Sequence, residues 1–209
     1  MDKLDYKKAY KELYLPKQKP TIITVPAIPF VMIAGQGDPN SEEFALVTAA
    51  LYSFSYGVKM SYKDTDVPAG YYHYIVFPLE GVWDLVDHTK SATEKSNFKY
   101  NIMIRQPDFL TEELFLQILA KMKKKKPNCY FDQMGFSTIS EGLCCQMLHI
   151  GSYDEEPISF ETMQQFCSEN GFERNSHAHR EIYLSDPRKI ASDKLKTVLR
   201  YRIKNSNLP

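Results

Sequence analysis

A chain of 209 residues, 43% hydrophobic and 25% charged, can bury a sizeable core as one domain or two fused halves. Its 26 Lys and Arg balance its 26 Asp and Glu, so no global field draws it to nucleic acid or anionic lipid. It has neither an apolar run near about eighteen residues nor a basic-then-apolar leader, so a cytoplasmic protein that neither spans a membrane nor is secreted is expected.

In chain order, the segment 1–19 carries Leu4, Tyr6, Tyr10, Leu13 and Tyr14 and reads as a short helix packed on the body. Thr21 to Ile33 is an extended run closed by Gly35 and Gly37, where the chain turns. Asn40 and Ser41 open a helix whose apolar positions, from Phe44 to Phe54, fall three and four apart, with Glu42 and Glu43 favoured in its first turn. Gly70 precedes a strand over Tyr71 to Phe77, and another strand covers Phe98 to Ile104. A linking helix follows over 111–126, with Leu114, Ile118, Leu119 and Met122 on one side. Its lysine run, Lys121 to Lys126, is a solvated helix end before Pro127; nothing else in the chain builds a basic face.

The same order then returns. Leu143 to Ile150 alternates as a strand; Ser159 to Asn170 is a helix stopped by Gly171; strands follow at Glu181 to Leu184 and Leu195 to Ile203. Two strand-helix-strand-strand units, about 20–107 and 128–205, make this an α+β chain with antiparallel sheets and the appearance of duplication.

Chemistry concentrates near the C-terminus. Ile182 and Leu184 point to one face of their strand, and His179, Glu181 and Tyr183 to the other. An acid beside a phenol marks either a solvent-washed face or a pocket wall. His177, His179 and Glu181 share a face, but a zinc site needs more ligands than this stretch offers, so neither metal nor other cofactor is expected. Cys129, Cys144, Cys145 and Cys167 lack metal-type spacing and read as reduced, inert thiols; His149 beside Gly151 reads as a structural histidine. Aromatic content is the outlier at 13%, with fourteen Tyr against one Trp. Tyrosine combines a flat apolar body with a polar tip, suited to wet pockets as well as cores.

Four stretches carry a resemblance: PLEGVW (Pro78 to Trp83), YNIMIRQPDFLTEE (Tyr100 to Glu113), EGLCCQMLHIGSYDEEP (Glu141 to Pro157), and HREIYLSDPRK with KLKTVLRYRI (His179 to Ile203). In order and spacing the chain from about Thr21 onward resembles the GyrI-like small-molecule-binding family. The resemblance implies a fold like the effector domain of multidrug-sensing regulators, in which the two units enclose a central pocket lined by aromatics around a deep glutamate. The EIYL segment puts that glutamate at Glu181. PLEGVW and MIRQPD resemble the stand-alone branch, whose members hydrolyse cyclopropane-bearing DNA alkylators of the yatakemycin type. No helix-turn-helix segment precedes the domain, which argues against a transcription factor and against direct nucleic-acid contact.

Opening such a drug with water requires a slot for a flat ring system, a positioned water, and a donor for the oxyanion that forms as the ring aromatises. Trp83, following a tight turn at Gly81, with Tyr56, Tyr71, Tyr130, Tyr153 and His179, is the candidate lining; stacking contributes about 1 kcal/mol per pair beyond area burial. Glu181 is the candidate base and Tyr183 the candidate hydroxyl donor. Each has a plainer reading: a strand tyrosine is most often packing, and Glu181 could instead pair with Arg180 or Arg202. Two other functions stay open, a non-catalytic binder of flat drugs in which Glu181 meets positive charge, and a protein inhibitor of a partner such as DNA gyrase. The expected ligand is an aromatic small molecule; the sequence names no protein partner.

Overall fold

The structure, a computed structural model, describes residues 3–91, 93–125 and 127–206. The expected N-terminal segment at Met1 and Asp2, the helix end at Lys126 and the domain's last three residues therefore lie outside the described residues. The elements are α1 (Tyr6–Ala9), α2 (Lys11–Tyr14), β1 (Thr21–Gln36), α3 (Glu42–Met60), β2 (Leu79–Leu85), β3 (Phe98–Arg105), α4 (Glu112–Lys125), β4 (Gly135–Ile150), α5 (Glu156–Glu169), β5 (Phe172–Arg174), β6 (His179–Tyr183) and β7 (Lys196–Asn205). This is an α+β chain with antiparallel strand pairing, as expected. Among the described residues no helix is long and apolar enough to cross a membrane.

Two compact units divide the chain. One takes the chain up to Ala9, Ile28–Leu79 and Leu85–Ile139; the other takes Tyr10–Ala27, Glu80–Asp84 and the chain from Ser140 onward. The boundary after Ala9 splits the expected N-terminal helix into two single turns, α1 and α2, one in each unit.

In the first unit β1 pairs antiparallel with β3 from Phe30 opposite Arg105 to Gln36 opposite Lys99. Gly35 is required there, because a Cβ would lie 2.6 Å from the Tyr100 ring. Ser41 caps α3 by accepting from the Phe44 N–H at 3.2 Å, and Thr111 caps α4 by accepting from the Leu114 N–H at 3.2 Å. The helices bury Val47, Ala50, Leu51, Phe54 and Val58 of α3, and Phe115, Ile118, Leu119 and Met122 of α4. The lysine-rich end of α4 is solvated and paired: Lys121 with Asp64 and Lys123 with Asp132.

The expected strand at Tyr71 to Phe77 is not a strand. Its aromatic side chains pack on one another and on Phe109, and its one bridge to another segment among the described residues is the parallel bridge of Tyr74 to Leu4. Pro78, with no N–H to donate, separates this run from β2, which starts at Leu79. Gly81 accordingly lies inside a strand and does not form the turn read before Trp83; it sits opposite Glu181.

The second unit is organised around β7, which pairs with β4, β5 and β6, while β6 also pairs with β2 from Glu80 opposite Ile182 to Trp83 opposite His179. Cys145 and Met147 of β4, Met163 and Cys167 of α5, and Leu199, Tyr201 and Ile203 of β7 form its core. A second buried layer is polar. Arg180 reaches Glu80 at 2.8 Å and Glu141 at 2.9 Å; Arg200 reaches Glu141 at 3.2 Å, the Gln146 carbonyl oxygen at 2.9 Å and the Leu13 backbone carbonyl at 2.9 Å. Tyr14 donates to Glu80 at 3.2 Å, and the Gln146 amide donates to the Glu12 carbonyl at 2.7 Å. Burial works to raise the Glu141 carboxyl, but the two guanidiniums outweigh it and hold Glu141 below its ordinary range.

This network fixes α2 onto the strands, and its members differ in what their loss leaves behind. Arg200→Met leaves the Gln146 side-chain oxygen and the Leu13 backbone carbonyl without this donor and takes away one of the two guanidiniums on Glu141, and is expected to cost about 3–5 kcal/mol in chemical denaturation. Tyr14→Phe removes one hydrogen bond to a carboxylate that keeps Arg180, and is expected to cost about 1 kcal/mol.

Candidate active site

Strand β6 separates two environments by alternation alone. Arg180 and Ile182 point into the buried layer at 2% and 0% exposure, and His179, Glu181 and Tyr183 point to the opposite face. Spacing two brings those three side chains within reach of one another. Tyr183 donates its phenol proton to Glu181 Oε2 at 2.8 Å, and His179 Nε2 lies 3.0 Å from Glu181 Oε1. Trp83 Nε1 donates to Tyr183 Oη at 2.7 Å, so the indole fixes the phenol and the phenol fixes the carboxylate. The Glu181 side chain is 12% exposed. Its ladder partner on β2 is Gly81, which sets no side chain on that flank, and on β7 it is the buried Leu199.

The residue that sequence reasoning missed is Glu156, in the first turn of α5 and 5% exposed. Burial, then the charge of Glu181 and a hydrogen bond to it, push its carboxyl up to about 10. Glu156 is therefore a neutral acid at ordinary pH, and it hands its proton toward Glu181 as two close carboxyls must. Its Oε1 has no hydrogen-bond partner among the described residues. A helix start read at Ser159 left Asp154, Glu155 and Glu156 in a loop. The available signals were Pro157, which favours the first helical turn, and Ser152 three residues before Glu155, which closes a capping box.

Aromatic rings surround the pair. Tyr153 meets Tyr183 edge-on at 6.0 Å, and Phe160 meets the His179 ring at 4.7 Å. The Tyr153 phenol is pushed up to about 12 by burial and then by Glu181 and Glu156; the Tyr183 phenol is raised well above its ordinary value, by burial first and then by Glu181. Both phenols keep their protons.

The structure thus brings Glu181, Tyr183, Trp83, Tyr153 and His179 into one cluster in the second unit. Tyr183 is engaged differently from the reading as an open oxyanion donor, since its proton is committed to Glu181. Tyr56, Tyr71 and Tyr130 belong to the first unit and have partners there: the Lys59 ammonium lies over the Tyr56 ring, Tyr71 donates to the Lys59 carbonyl, and Asn128 caps the turn holding Tyr130. Among the described residues no group of three or more His, Cys, Asp or Glu could hold a metal ion. Cys144, Cys145 and Cys167 are buried and Cys129 is exposed; burial pushes the Cys144 thiol up to about 12.

The fold is that of a small-molecule-binding domain. A model of the GyrI-like small molecule binding domain matches residues 18–204, and the chain belongs to that family. Two solved structures from Listeria innocua, a hydrolase and an uncharacterized conserved protein, are each 36% identical to it over 97% of this chain and 100% of theirs, with TM-scores of 0.89 and 0.91. The C-terminal domain of EcmrR matches 90% of this chain and 98% of its own at 12% identity and a TM-score of 0.56, which is a likeness of fold. No curated protein matches the chain.

The protonation of Glu156 makes stability depend on pH. The folded state holds this proton up to about pH 10 while the unfolded carboxyl releases it near 4.5, so its contribution is full below about 4.5 and falls as pH rises toward 10. Glu156→Gln lacks that slope. Its stability relative to the parent, measured by denaturation at pH 5.5 and 8.5 (test conditions), is expected to rise by up to about 1.4 kcal/mol per pH unit.

Proposed function

We propose that this protein is a hydrolase that opens the cyclopropane ring of flat, DNA-alkylating small molecules of the yatakemycin type, a detoxifying reaction. The observation that carries this reading is the Glu181 carboxyl, which accepts from Tyr183 and lies 3.0 Å from His179, beside the buried Glu156 carboxyl that burial and the Glu181 charge push up to about 10, with Trp83 and Tyr153 at the border. Membership of the family and likeness to a structure described as a hydrolase support it.

A carboxylate offers about four lone-pair sites. Tyr183, His179 and Glu156 account for three on Glu181, and the fourth receives the attacking water. The water oxygen adds to the cyclopropane methylene and the ring C–C bond breaks. Its electron pair moves through the conjugated ring onto the carbonyl oxygen, which becomes a phenolate. The water's proton passes to the carboxyl pair, and a proton from the pair goes to the phenolate, so the product is the drug plus one water. Tyr153, protonated and without a competing carboxylate bond, donates to the developing oxyanion. Trp83 and the tyrosines stack on the flat substrate.

Incubation with a cyclopropane-bearing alkylator is expected to give a product heavier by one water in the mass spectrum. Glu181→Gln is expected to retain binding and lose roughly a hundred- to ten-thousand-fold in turnover, the range for a general base. Tight binding of intact drug by the parent protein would instead identify a sequestering protein, and unchanged turnover in Glu181→Gln would remove the base from this account.

A further inference from the structure

His149 lies in β4 opposite Thr197 of β7 and is 5% exposed. Both ring nitrogens are engaged: Nε2 lies 3.0 Å from the Ser152 carbonyl oxygen and Nδ1 lies 2.9 Å from Ser159 Oγ. A carbonyl only accepts, so Nε2 carries the proton of the neutral ring, Nδ1 accepts, and Ser159 donates. The two partners bracket Glu156. Ser152 precedes it by four residues in the capping box that opens the helical segment, and Ser159 follows it by three, one turn along α5. The chain is pressed against the ring at Gly151, where φ is +146° and a Cβ would lie 2.8 Å from Glu155 Oε2 and 3.2 Å from His149 Nε2. An aromatic ring with no flexible torsion beyond its Cβ–Cγ bond thus spans both sides of the turn carrying Glu156 and Tyr153.

We propose that His149 is a positioning residue for the carboxyl pair: by tying the Ser152 carbonyl to the Ser159 hydroxyl it fixes the first turn of α5 and holds the Glu156 carboxyl against Glu181. The kinetic consequence rests on the hydrolase reading; the placement of Glu156 does not. Loss of the strut lets the turn relax, and solvent reaches a carboxyl otherwise shielded beside a second acid. A histidine that only stabilised the helix start would change stability and leave the Glu156 titration where it is.

The test follows the Glu156 side-chain carboxyl by carbon NMR in ligand-free protein, with Glu156→Gln assigning the signal. In the parent it is expected to stay protonated through neutral pH. In His149→Ala its midpoint is expected to fall by at least about one pH unit, with a smaller fall in Ser159→Ala, which removes one arm of the strut. In turnover of a cyclopropane-bearing alkylator, His149→Ala is expected to lower kcat by at least about tenfold with KM within about twofold, the pattern of a lost transition-state interaction. An unshifted Glu156 midpoint in folded His149→Ala overturns the proposal; if that variant does not fold, an unshifted midpoint in Ser159→Ala does so. A shifted midpoint in a protein that opens no cyclopropane leaves the positioning role standing and removes the hydrolase reading. A parent Glu156 that titrates in the ordinary carboxylate range removes the carboxyl pair, and this proposal with it.

Discussion

Two carboxyls in contact, away from water, cannot both be charged at moderate cost, and the second unit is built around the solution to that constraint. Glu156 stays neutral and becomes a donor. Glu181 receives its hydrogen bond together with those of Tyr183 and His179. The rings around the pair hold one another: Trp83 orients Tyr183, Phe160 packs on His179, and Tyr153 closes against the Tyr183 ring. A carboxyl pair among phenols and flat rings is the setting on which the proposed water activation rests. Such a pair, with environments that push two acids apart, divides acid and base roles between chemically identical groups.

The opposite face of β6 makes this arrangement rigid. Arg180, adjacent to Glu181 in sequence, is 2% exposed and bound to Glu80 and Glu141, while Arg200 on the neighbouring strand ties Glu141, Gln146 and α2 together. Burying charges contributes little net stability, because desolvation offsets most of the attraction. What a satisfied network contributes is register. A slip of β6 by one residue would turn Arg180 toward the aromatic face and Glu181 into the ionic layer, leaving both sets of hydrogen bonds unmade. The site is therefore held from behind by polar contacts as well as by the apolar core of Met163, Cys167 and Leu199.

The likeness to EcmrR and the likeness to the Listeria innocua structures concern different levels of description. At 12% identity only the strand and helix arrangement is shared, and an arrangement by itself does not fix a function. At 36% identity over nearly the whole chain, the similarity extends to a protein described as a hydrolase. Function lies in the side chains mounted on a scaffold, and here a carboxyl pushed up to about 10 by burial lies beside Glu181.

The sequence by itself determined the α+β class, helices α3 and α4 with the Ser41 start of α3, and the grouping of His179, Glu181 and Tyr183, because helical and strand periodicities and capping chemistry are local. The strand read at Tyr71 to Phe77 went astray for the same reason: aromatic, alternating residues satisfy strand statistics, yet strand formation needs a partner ladder, and after Pro78 that ladder is built by Leu79 to Leu85. Tyr56, Tyr71 and Tyr130 were plausible ring donors by composition, and their placement depended on contacts remote in sequence. Only the tertiary structure brought Glu156 to Glu181, and Trp83 within 2.7 Å of Tyr183 a hundred residues away. A proton shared between two acids is a property of burial and proximity, and neither is written in the spacing of residues along one chain.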